Sequence, residues 1–325
     1  MPPTSAAELT PATVARFARD LAGLVELESA RVLVAVSGGP DSLALLFLTH
    51  AVLGDRCSGA TVDHGLRPES ADEARWVGAL CARHGIAHTI LRDTVPPRVA
   101  HTANLSARAR DLRYRLLGEH AEALGGALIA TAHHADDQLE TLIMRLNRGS
   151  GLAGLAGVRA RKGNVIRPLL DWRHAELVAI VAALGIAAID DPSNVSDRFD
   201  RARLRKALAG IDWLDVGRIG ASARALSDAE DALGWIVDRL KRQRVRKQDG
   251  SVVLAPADLP FEIRRRLVER CVVQIDPQAD IRGAALVRTV RALEAGERTM
   301  IGDVVGETGA DGHWRFTKAP PRRSV

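Results

Sequence analysis

The sequence contains few aromatic residues, few cysteines and no long apolar run. Only 3% of its 325 residues are aromatic, so a core must be built from Ala, Leu, Val and Ile. The three cysteines, Cys57, Cys81 and Cys271, lie far apart, which excludes a CxxC redox or zinc motif and suits a reducing cytoplasm. No stretch is long and apolar enough to span a membrane, and the N-terminus lacks the pattern of a signal peptide. We therefore expect a cytoplasmic protein without a membrane segment.

The amino-acid composition is that of an ordinary globular protein, but the positive charge is unevenly distributed along the chain. Hydrophobic residues make up 46% of the chain and charged residues 26%, and the length favours two domains. The formal net charge is +5, but six of the nine residues from 239 to 247 are basic, and three consecutive arginines follow at 264–266. Such clusters either bind a nucleic-acid backbone or cover a solvated helix face, and composition alone leaves both open.

Strand and helix patterns alternate from residue 31 to about residue 150. Short β-branched apolar runs, such as RVLVAV at residues 31–36, are each followed by a longer amphipathic segment. This alternation predicts a parallel sheet covered by helices. Beyond residue 210 the pattern becomes a long helix over 216–248, one strand-like SVVLA segment and a helix from about 261 to 275. The fold class is therefore α/β, with a parallel-sheet domain at 1–210 and a smaller, mainly helical domain at 211–325.

The stretch SGGPDS, residues 37–42, lies between the first strand and its helix. A glycine turn that leads into a helix N-terminus points backbone N–H groups at an anion. The stretch lacks the lysine of the common phosphate loop and the spacing of the dinucleotide-binding GxGxxG motif. Backbone donors and the hydroxyls of Ser37 and Ser42 would suit a departing pyrophosphate, and Asp41 could hold the Mg²⁺ that screens its charge.

Polar residues also follow two other predicted strands. Asp63 and His64 end the second strand, and the segment from His133 to Asp137 follows the fourth. Since the carboxyl ends of parallel strands meet at one edge of a sheet, we expect these residues near the SGGPDS loop.

SGGPDS matches the SGGxDS loop of the N-type ATP pyrophosphatases, which cleave ATP to AMP and pyrophosphate. Further stretches narrow the resemblance: VDHGLR (62–67), ARDLRY (109–114), AHHADDQLET (132–141), RGSGLAGLAG (148–157), RPLL (167–170) and DDPSN (190–194). In this order they resemble the tRNA(Ile)-lysidine synthase family of the PP-loop superfamily. The resemblance covers residues 31–210 and implies the adenine nucleotide alpha hydrolase-like fold. LPFEIRRRL, at 259–267, is similar to a stretch of that family's substrate-binding domain.

The resemblance implies a reaction and its participants. The family adenylates the C2 oxygen of the wobble cytidine in an isoleucine tRNA with a CAU anticodon, and the ε-amine of free L-lysine then displaces AMP. ATP and Mg²⁺ are the implied cofactors, and the family leaves room for a homodimer. A pyrimidine oxygen is a poor leaving group, so it must first be activated, and the amine needs a base that accepts its proton.

The resemblance also assigns residues to roles. Those expected to bind ATP are Ser37, Gly38, Gly39, Pro40, Asp41, Ser42, Asp63 and His64. Those expected in catalysis are Asp41, Arg110, Arg113, His133 and Asp137, with Asp41 and Asp137 as metal ligands. Arg110 and Arg113 lie three residues apart on one helix face, where they would contact phosphate. The division of roles among His133, Asp136, Asp137 and Glu140 stays open.

Contacts to tRNA are expected from basic residues of both domains. These residues are Arg148, Arg201, Arg205, Lys241, Arg242, Arg244, Arg264 and Arg265. Two positions depart from the family pattern: Ser106, near which an acidic residue is usual, and Ala202, where asparagine is usual. The first departure puts one element of lysine recognition in doubt, and the second makes Arg201 and Arg205 general phosphate binders.

Three other functions compete with this interpretation. A tRNA thiolation enzyme would share the glycine loop, but the scattered cysteines do not provide a sulfur-carrying site. Small-molecule ligases such as GMP, NAD or argininosuccinate synthetases also share it, but they have no use for a basic accessory domain. A non-catalytic RNA-binding protein would have no reason to keep both SGGPDS and the His133–Asp137 segment.

Overall fold

The computed structural model describes residues 9–65, 69–93, 105–189, 200–208, 210–279, 281 and 283–320. In chain order the elements are α1 Pro11–Ala22, β1 Val32–Ala35, α2 Pro40–Leu53, a 3₁₀ turn Gly54–Arg56, β2 Cys57–Asp63, α3 Ser70–Arg83, β3 Ala87–Arg92, α4 Leu105–Ala123, β4 Leu128–Ala130, α5 Ala135–Asn147, α6 Leu152–Leu155, β5 Arg161–Lys162, β6 Val165–Ile166, α7 His174–Ala183, α8 Asp200–Leu208, α9 Val216–Arg244, β7 Val245–Gln248, β8 Ser251–Leu254, α10 Phe261–Ile275, α11 Gly283–Glu294, β9 Thr299–Ile301, β10 Val304–Thr308 and β11 Trp314–Lys318. None of the helices in these ranges combines the length and the apolar composition that a membrane crossing requires.

Contacts divide the chain into two compact units. The first consists of Met1–Ser150 and Gly154–Arg224, and the second of Gly151–Ala153 and Ala225–Val325. The division after Arg224 falls among the residues of α9, whereas the sequence analysis places a domain boundary near residue 211.

The first unit is built on a six-stranded sheet with the order β3-β2-β1-β4-β6-β5. All its pairings are parallel except that of the short edge strand β5 with β6. In the central strand β1, Val32 pairs with Cys57 on one side and with Leu128 on the other. Val32, Leu33 and Val34 are at most 1% exposed, as expected for a β-branched strand with both faces covered. The predicted α/β fold with a parallel sheet is confirmed.

The strand order reverses at β1, and this reversal positions the site. From β1 the chain forms β2 and β3 on one side, then crosses to β4 on the other. In open α/β sheets, ligands bind at the carboxyl ends of the strands that flank such a reversal. The loops that follow β1 and β4 therefore lie next to each other at this edge of the sheet.

Helix α2 lies in the interior of the first unit. It contacts α1, α7, β1 and β2, and its residues 42–49 are all buried. A helix covered on all sides needs apolar residues all round, and LALLFL meets that requirement. Phe17 and Trp172 are buried in the same core and make an edge-on ring contact, while the Trp172 indole Nε1–H donates to Asp20 Oδ2 at 2.8 Å. Because α2 is buried, its N-terminus is held at the sheet edge where the strand order reverses.

The second unit packs helices against a five-stranded antiparallel sheet with the order β7-β8-β11-β10-β9. Its core includes Leu267 of α10, Val290 of α11 and Phe316 of β11, each fully buried. The sequence predicts the helices that correspond to α9 and α10 and the strand that corresponds to β8, but not α11 or the other strands. The helix predicted over 216–248 is wrong at its end, because residues 245–248 form β7. The strands that were not predicted are three to five residues long, too short to give a periodic signal of their own.

Candidate active site

The loop at residues 37–42 is a tight turn held by its own serines. Ser42 Oγ accepts from the backbone N–H of Ser37 at 3.1 Å and donates to the carbonyl of Gly39 at 2.9 Å. Gly38 has φ +89°, and a Cβ there would lie 2.6 Å from Ile189 Cδ1, so the turn requires glycine. Gly39 caps α2 and Pro40 begins it, which leaves the first N–H groups of the helix available to an anion.

A cavity of about 830 Å³ opens in the first unit above this loop. It is lined by the loop, by the start of α5, by the start of α7 and by α8. The polar lining residues are Ser37, Asp41, Ser42, Glu73, Arg113, His134, Asp136, Asp137, Glu140, Arg173, His174 and Arg205. The apolar lining residues include Ile189, Leu208, Ile211, Leu214 and Val216. A concave site of this size with converging charged groups is the expected form of a small-molecule binding site.

His134 lies at the centre of a group of three carboxylates in the cavity. It is 4% exposed and immediately precedes α5, where its backbone N–H donates to Asp137 Oδ2 at 3.1 Å. Its Nε2 lies 3.6 Å from Asp41 and 3.5 Å from Asp137, and its Nδ1 lies 3.6 Å from Asp136. Burial alone would lower the pKa of His134, but these carboxylates outweigh it and raise the pKa to about 10. The ring therefore carries a proton at neutral pH in the ligand-free protein.

Asp41 receives a second imidazole from α7. His174 Nδ1 lies 2.8 Å from Asp41 Oδ1, a contact that raises the pKa of His174. Burial acts to raise the pKa of Asp41, but the two histidines prevail and lower it to about 2. The carboxylate of the glycine loop is thus ionised and held between two rings.

Arg173, beside His174, fixes the first turn of α5. Its guanidinium contacts both oxygens of Asp136 at 2.9 to 3.2 Å, and the backbone N–H of His174 donates to Asp136 Oδ2 at 2.8 Å. Burial would raise the pKa of Asp136, but hydrogen bonds with His134 and Arg173 lower it well below its usual range. Asp136 therefore links α5 to α7. Asp137, the other carboxylate of this turn, is less tightly paired with protein cations.

Glu140 and Arg205 join α5 to α8 at the opposite wall. The Glu140 side chain is 3% exposed and forms an ion pair with Arg205, whose Nη2 also lies 3.6 Å from Asp137. Arg205 thus carries a positive charge to the cavity wall and is oriented by a buried carboxylate.

The structure brings together most, but not all, of the residues that the sequence analysis places in the site. Those that line the cavity are Ser37, Gly39, Pro40, Asp41, Ser42, Arg113 and Asp137, and Gly38 forms the turn beneath them. Arg205, which the sequence places among the tRNA contacts, also lines the cavity. Arg110 lies one turn before Arg113 on α4, is stacked 5.0 Å from the Tyr114 ring, and does not line the cavity.

Besides Arg110, three more predicted residues lie outside the cavity lining. Asp63 accepts from Ser70 Oγ at 2.7 Å and from the N–H of Gly65 at 3.1 Å, so its own loop occupies it. His64 Nε2 lies 3.5 Å from Arg113 Nη2. His133 Nδ1 lies 3.0 Å from Thr131 Oγ1 in the strand-to-helix loop. For all three, a role in the site stays a prediction.

His134, and not His133, is among the residues that line the cavity. His134, His174, Arg173 and Glu73 line the cavity, and sequence reasoning assigned none of them a role. No motif in the sequence distinguishes His134 from His133, because histidine is not a preferred residue at a helix N-cap. No local signal existed for His174, which reaches Asp41 only through the packing of α7 on α2.

The basic residues predicted to contact tRNA fall into different surroundings. Arg148 follows α5 at an exposed position, and the side chains of Ser106, Arg201 and Ala202, like residues 190–199, lie outside the described residues. In the second unit, Lys241 and Arg242 line a separate cavity, and Arg244 ends α9. Arg264 pairs with Glu294 at 3.1 Å and Arg265 with Glu262 at 2.7 Å, so these two contribute less net charge than the sequence suggests.

All three cysteines are free and buried. Burial raises the pKa of Cys57 to about 12, that of Cys81 to about 11 and that of Cys271 to about 12. Since the thiolate is the form that attacks or binds metal, none of these thiols is prepared for sulfur transfer.

Comparison with known proteins agrees with this geometry. A family model described as a PP-loop domain matches residues 13–210. A tRNA(Ile)-lysidine synthase from Novosphingobium aromaticivorans is 45% identical over 304 residues, which cover 91% of each chain. Another from Zymomonas mobilis is 41% identical over 305 residues and also covers 91% of each chain.

Among solved structures, a U34-tRNA thiolase from Methanococcus maripaludis with its 4Fe-4S cluster aligns with a TM-score of 0.54. It is 18% identical and covers 66% of this chain and 80% of its own, a likeness that concerns the fold alone. Fold and glycine loop together define a PP-loop protein. Within that class, the chain belongs to the family of the tRNA(Ile)-lysidine synthases.

Proposed function

We propose that the protein is an ATP-dependent ligase that joins lysine to C2 of the wobble cytidine in the CAU anticodon of tRNA(Ile). The reaction would pass through an adenylated tRNA and release AMP and pyrophosphate, and it would change decoding from AUG to AUA. The observation that carries the proposal is the cavity in which the glycine loop, the N-terminus of α2 and the Asp41–His134–Asp137 cluster converge. Because its substrate is tRNA, we expect the enzyme in the cytoplasm, and we keep a homodimer as an expectation for sedimentation analysis to test.

The glycine loop suits the pyrophosphate portion of ATP. The N–H groups at the start of α2 and the Ser37 hydroxyl are positioned for phosphate oxygens without any lysine. Arg113 and Arg205 add two cations to the cavity wall, where negative charge grows as pyrophosphate departs. This arrangement supports adenylation, in which the α-phosphate is attacked and the β- and γ-phosphates leave as one unit.

Asp41 and Asp137 fit the Mg²⁺ that we propose as a cofactor. Asp41 lies 3.6 Å and Asp137 3.5 Å from the same atom, His134 Nε2, so both present hard oxygen donors to the cavity. Asp41, His134 and His174 also place one ligand atom each within 4.8 Å of the others, but Mg²⁺ prefers oxygen donors to imidazole nitrogens. When bound, Mg²⁺ would neutralise the charge of the departing pyrophosphate.

The lysine step requires an acceptor for the amine proton, and Asp137 fits that role best. A carboxylate binds the ammonium group of lysine and can take its proton as the amine attacks. His134 holds its proton at neutral pH, so it suits donation of a hydrogen bond rather than the role of base. The sequence leaves the choice of proton acceptor open between His133 and Asp137, and we assign this role to Asp137.

The alternative, a tRNA thiolation enzyme, has less support. The thiolase whose fold this chain resembles carries a 4Fe-4S cluster, which requires accessible cysteine ligands or an equivalent. Here Cys57 and Cys81 are buried in the core of the first unit and Cys271 in that of the second. No cysteine lines the cavity among the described residues.

The test is transfer of radiolabelled lysine to a transcript of the CAU-anticodon tRNA(Ile), with ATP and Mg²⁺. The elongator methionine tRNA serves as the RNA control. Asp137→Asn is expected to abolish transfer, whereas Asp72→Asn, an exposed carboxylate on α3 paired with Arg75, should retain it. Label that enters only tRNA(Ile), and only with ATP, would support the proposal.

Two results would contradict parts of the proposal. AMP formation that depends on tRNA, without lysine incorporation, would keep adenylation and discard lysine as the nucleophile. Full transfer by Asp137→Asn would remove that residue from the mechanism.

A further inference from the structure

Trp235 is an exposed tryptophan that the proposed reaction does not use. It lies in the part of α9 that belongs to the second unit and is 64% exposed. The next residue, Ile236, is 38% exposed. An exposed tryptophan presents a large, rigid ring face on which the planar group of a ligand can stack.

Cations accompany this ring on the same helix. The Arg239 guanidinium lies 5.6 Å from the centre of the Trp235 ring, one turn further along α9. Arg242 follows seven residues after Trp235, hence on the same face and about 10 Å along the axis. An aromatic ring with arginines beside it is a combination that binds a nucleobase together with its phosphates.

A second cavity begins at the same stretch of α9. It has a volume of about 490 Å³ and is lined by Asp238, Lys241, Arg242, Val245, Arg246, Lys247 and Gln274. Four of these seven residues are cations, and Asp238 is already paired with Arg270 at 3.3 Å. The cavity therefore has a surplus of positive charge, and its natural occupant is a polyanion.

We propose that Trp235, Arg239 and this basic cavity form a binding site for an unpaired RNA nucleotide. The base stacks on Trp235, and the phosphates that flank it enter the cavity lined by Lys241, Arg242, Arg246 and Lys247. The inference rests on the proposed function only in taking tRNA as the RNA.

An unpaired nucleotide fits this surface better than a duplex or a protein. In a duplex the faces of the bases are stacked on one another, so a tryptophan side chain reaches them only where the strand is single. The four clustered cations, in turn, match the closely spaced phosphates of a nucleic acid. A tRNA offers unpaired nucleotides in its loops and at its 3′ end, and both share this chemistry.

The experiment measures the affinity of the full-length protein for tRNA(Ile) transcripts at several salt concentrations. Trp235→Ala should weaken binding roughly tenfold, and Trp235→Phe should restore most of the affinity. Met300→Ala, which removes a 59% exposed apolar side chain from β9 of the same unit, is the matched control and should bind like wild type. Arg242→Gln should reduce the slope of log K against log salt by about 0.7, whereas Trp235→Ala should leave the slope unchanged.

Two further probes locate the nucleotide and exclude a duplex. The affinities of wild type and Trp235→Ala are compared for a transcript that lacks its unpaired 3′ end and for an isolated anticodon stem-loop. An RNA whose affinity no longer depends on Trp235 lacks the nucleotide that stacks on it. A blunt RNA duplex should bind wild type and Trp235→Ala equally.

The inference is overturned if Trp235→Ala binds the transcript as wild type does, or weakens duplex binding to the same extent. It is also overturned if Trp235→Ala changes only the sedimentation of the protein, because the ring would then serve contact between proteins. Lysine transfer by wild type is measured in parallel. Loss of that activity with intact, Trp235-dependent binding would reject the proposed reaction and keep this site.

Discussion

At the scale of single residues, His134 lies among the carboxylates of the site. Its ring nitrogens lie 3.5 to 3.6 Å from three carboxylates, those of Asp41, Asp136 and Asp137. In the absence of substrate this imidazolium offsets much of their mutual repulsion. A cation that binds Asp41 and Asp137 must therefore compete with His134 and with His174.

His134→Gln should reveal this proton as a pH-dependent loss of stability. The pKa of His134 is about 10 in the folded protein and near 6.5 in the unfolded chain, so its contribution is complete below pH 6.5 and is lost as pH rises through 10. We expect wild type to exceed His134→Gln by a few kcal/mol at pH 6, with the difference shrinking towards pH 10. Urea unfolding in Mg²⁺-free buffer measures it.

The control for this experiment is His120→Gln, on α4 and outside the cavity lining. Its difference from wild type should not follow the same course with pH. A difference for His134→Gln that stays constant from pH 6 to pH 10 would mean that the ring is neutral in the folded protein.

The choice between His133 and His134 shows what sequence reasoning reached at this scale. The sequence predicts a functional segment from His133 to Asp137, because carboxylates and histidines follow a predicted strand, and Asp137 of this segment lines the cavity. The sequence does not show which of the two histidines faces the cavity, because this depends on the residue at which α5 begins. His134 caps α5 and is 4% exposed, whereas His133 lies one residue earlier in the loop.

At the scale of elements, the turn from β1 into α2 depends on one backbone conformation. Gly38→Ala should destabilise the protein by about 1–2 kcal/mol, because an L-residue at φ +89° is strained and its Cβ would meet Ile189. Gly39→Ala should cost far less, since φ there is −73° and the nearest atoms to a Cβ are 3.7 Å away or more. Equal losses in chemical denaturation would show that the turn tolerates a side chain at Gly38.

Helices α5 and α8 are joined by the Glu140–Arg205 ion pair, and a double-mutant cycle should detect it. Glu140→Gln, Arg205→Met and the double variant are expected to give a coupling energy of roughly 1–2 kcal/mol, because Glu140 is buried while Arg205 is half-exposed. Thermal or urea unfolding of the four proteins measures the coupling. A value near zero would mean that this ion pair does not stabilise the contact between α5 and α8.

The elements of the first unit could largely be predicted, and their order in the sheet could not. The alternation of short strand patterns with longer helical patterns predicts β1, β2, β3 and β4 and the loops that follow them. The reversal at β1 depends on which edge each crossover helix covers, and no local pattern records that choice. The contact of His174 with Asp41 has the same origin, because α7 is 133 residues away in sequence.

At the scale of the whole molecule, the two units have separate hydrophobic cores. Leu45 is fully buried in the first core and Leu267 in the second. Leu267→Ala should cost 2–5 kcal/mol of local stability, which hydrogen exchange would detect as faster exchange in α10 and β11 with β1 unchanged. Leu45→Ala should do the reverse. Uniform loss of protection from either variant would show that the cores unfold as one.

The second unit was the harder part to predict. Its long helix and basic charge are plain in the sequence, but strands such as β7, VRKQ, contain too few apolar residues to indicate a sheet. They pair because α10 and α11 cover one face of the sheet they form with β8, β10 and β11. That cover is a tertiary effect, which composition and periodicity do not record.

The burial of every thiol has a practical consequence. Since Cys57, Cys81 and Cys271 are buried with raised pKa values, the folded protein should be almost inert to maleimides. A single cysteine introduced on the surface would then be the one reactive thiol in the folded chain. The natural sequence is thus already a suitable background for attaching one fluorophore or spin label at a chosen position, with no cysteine needing to be removed first.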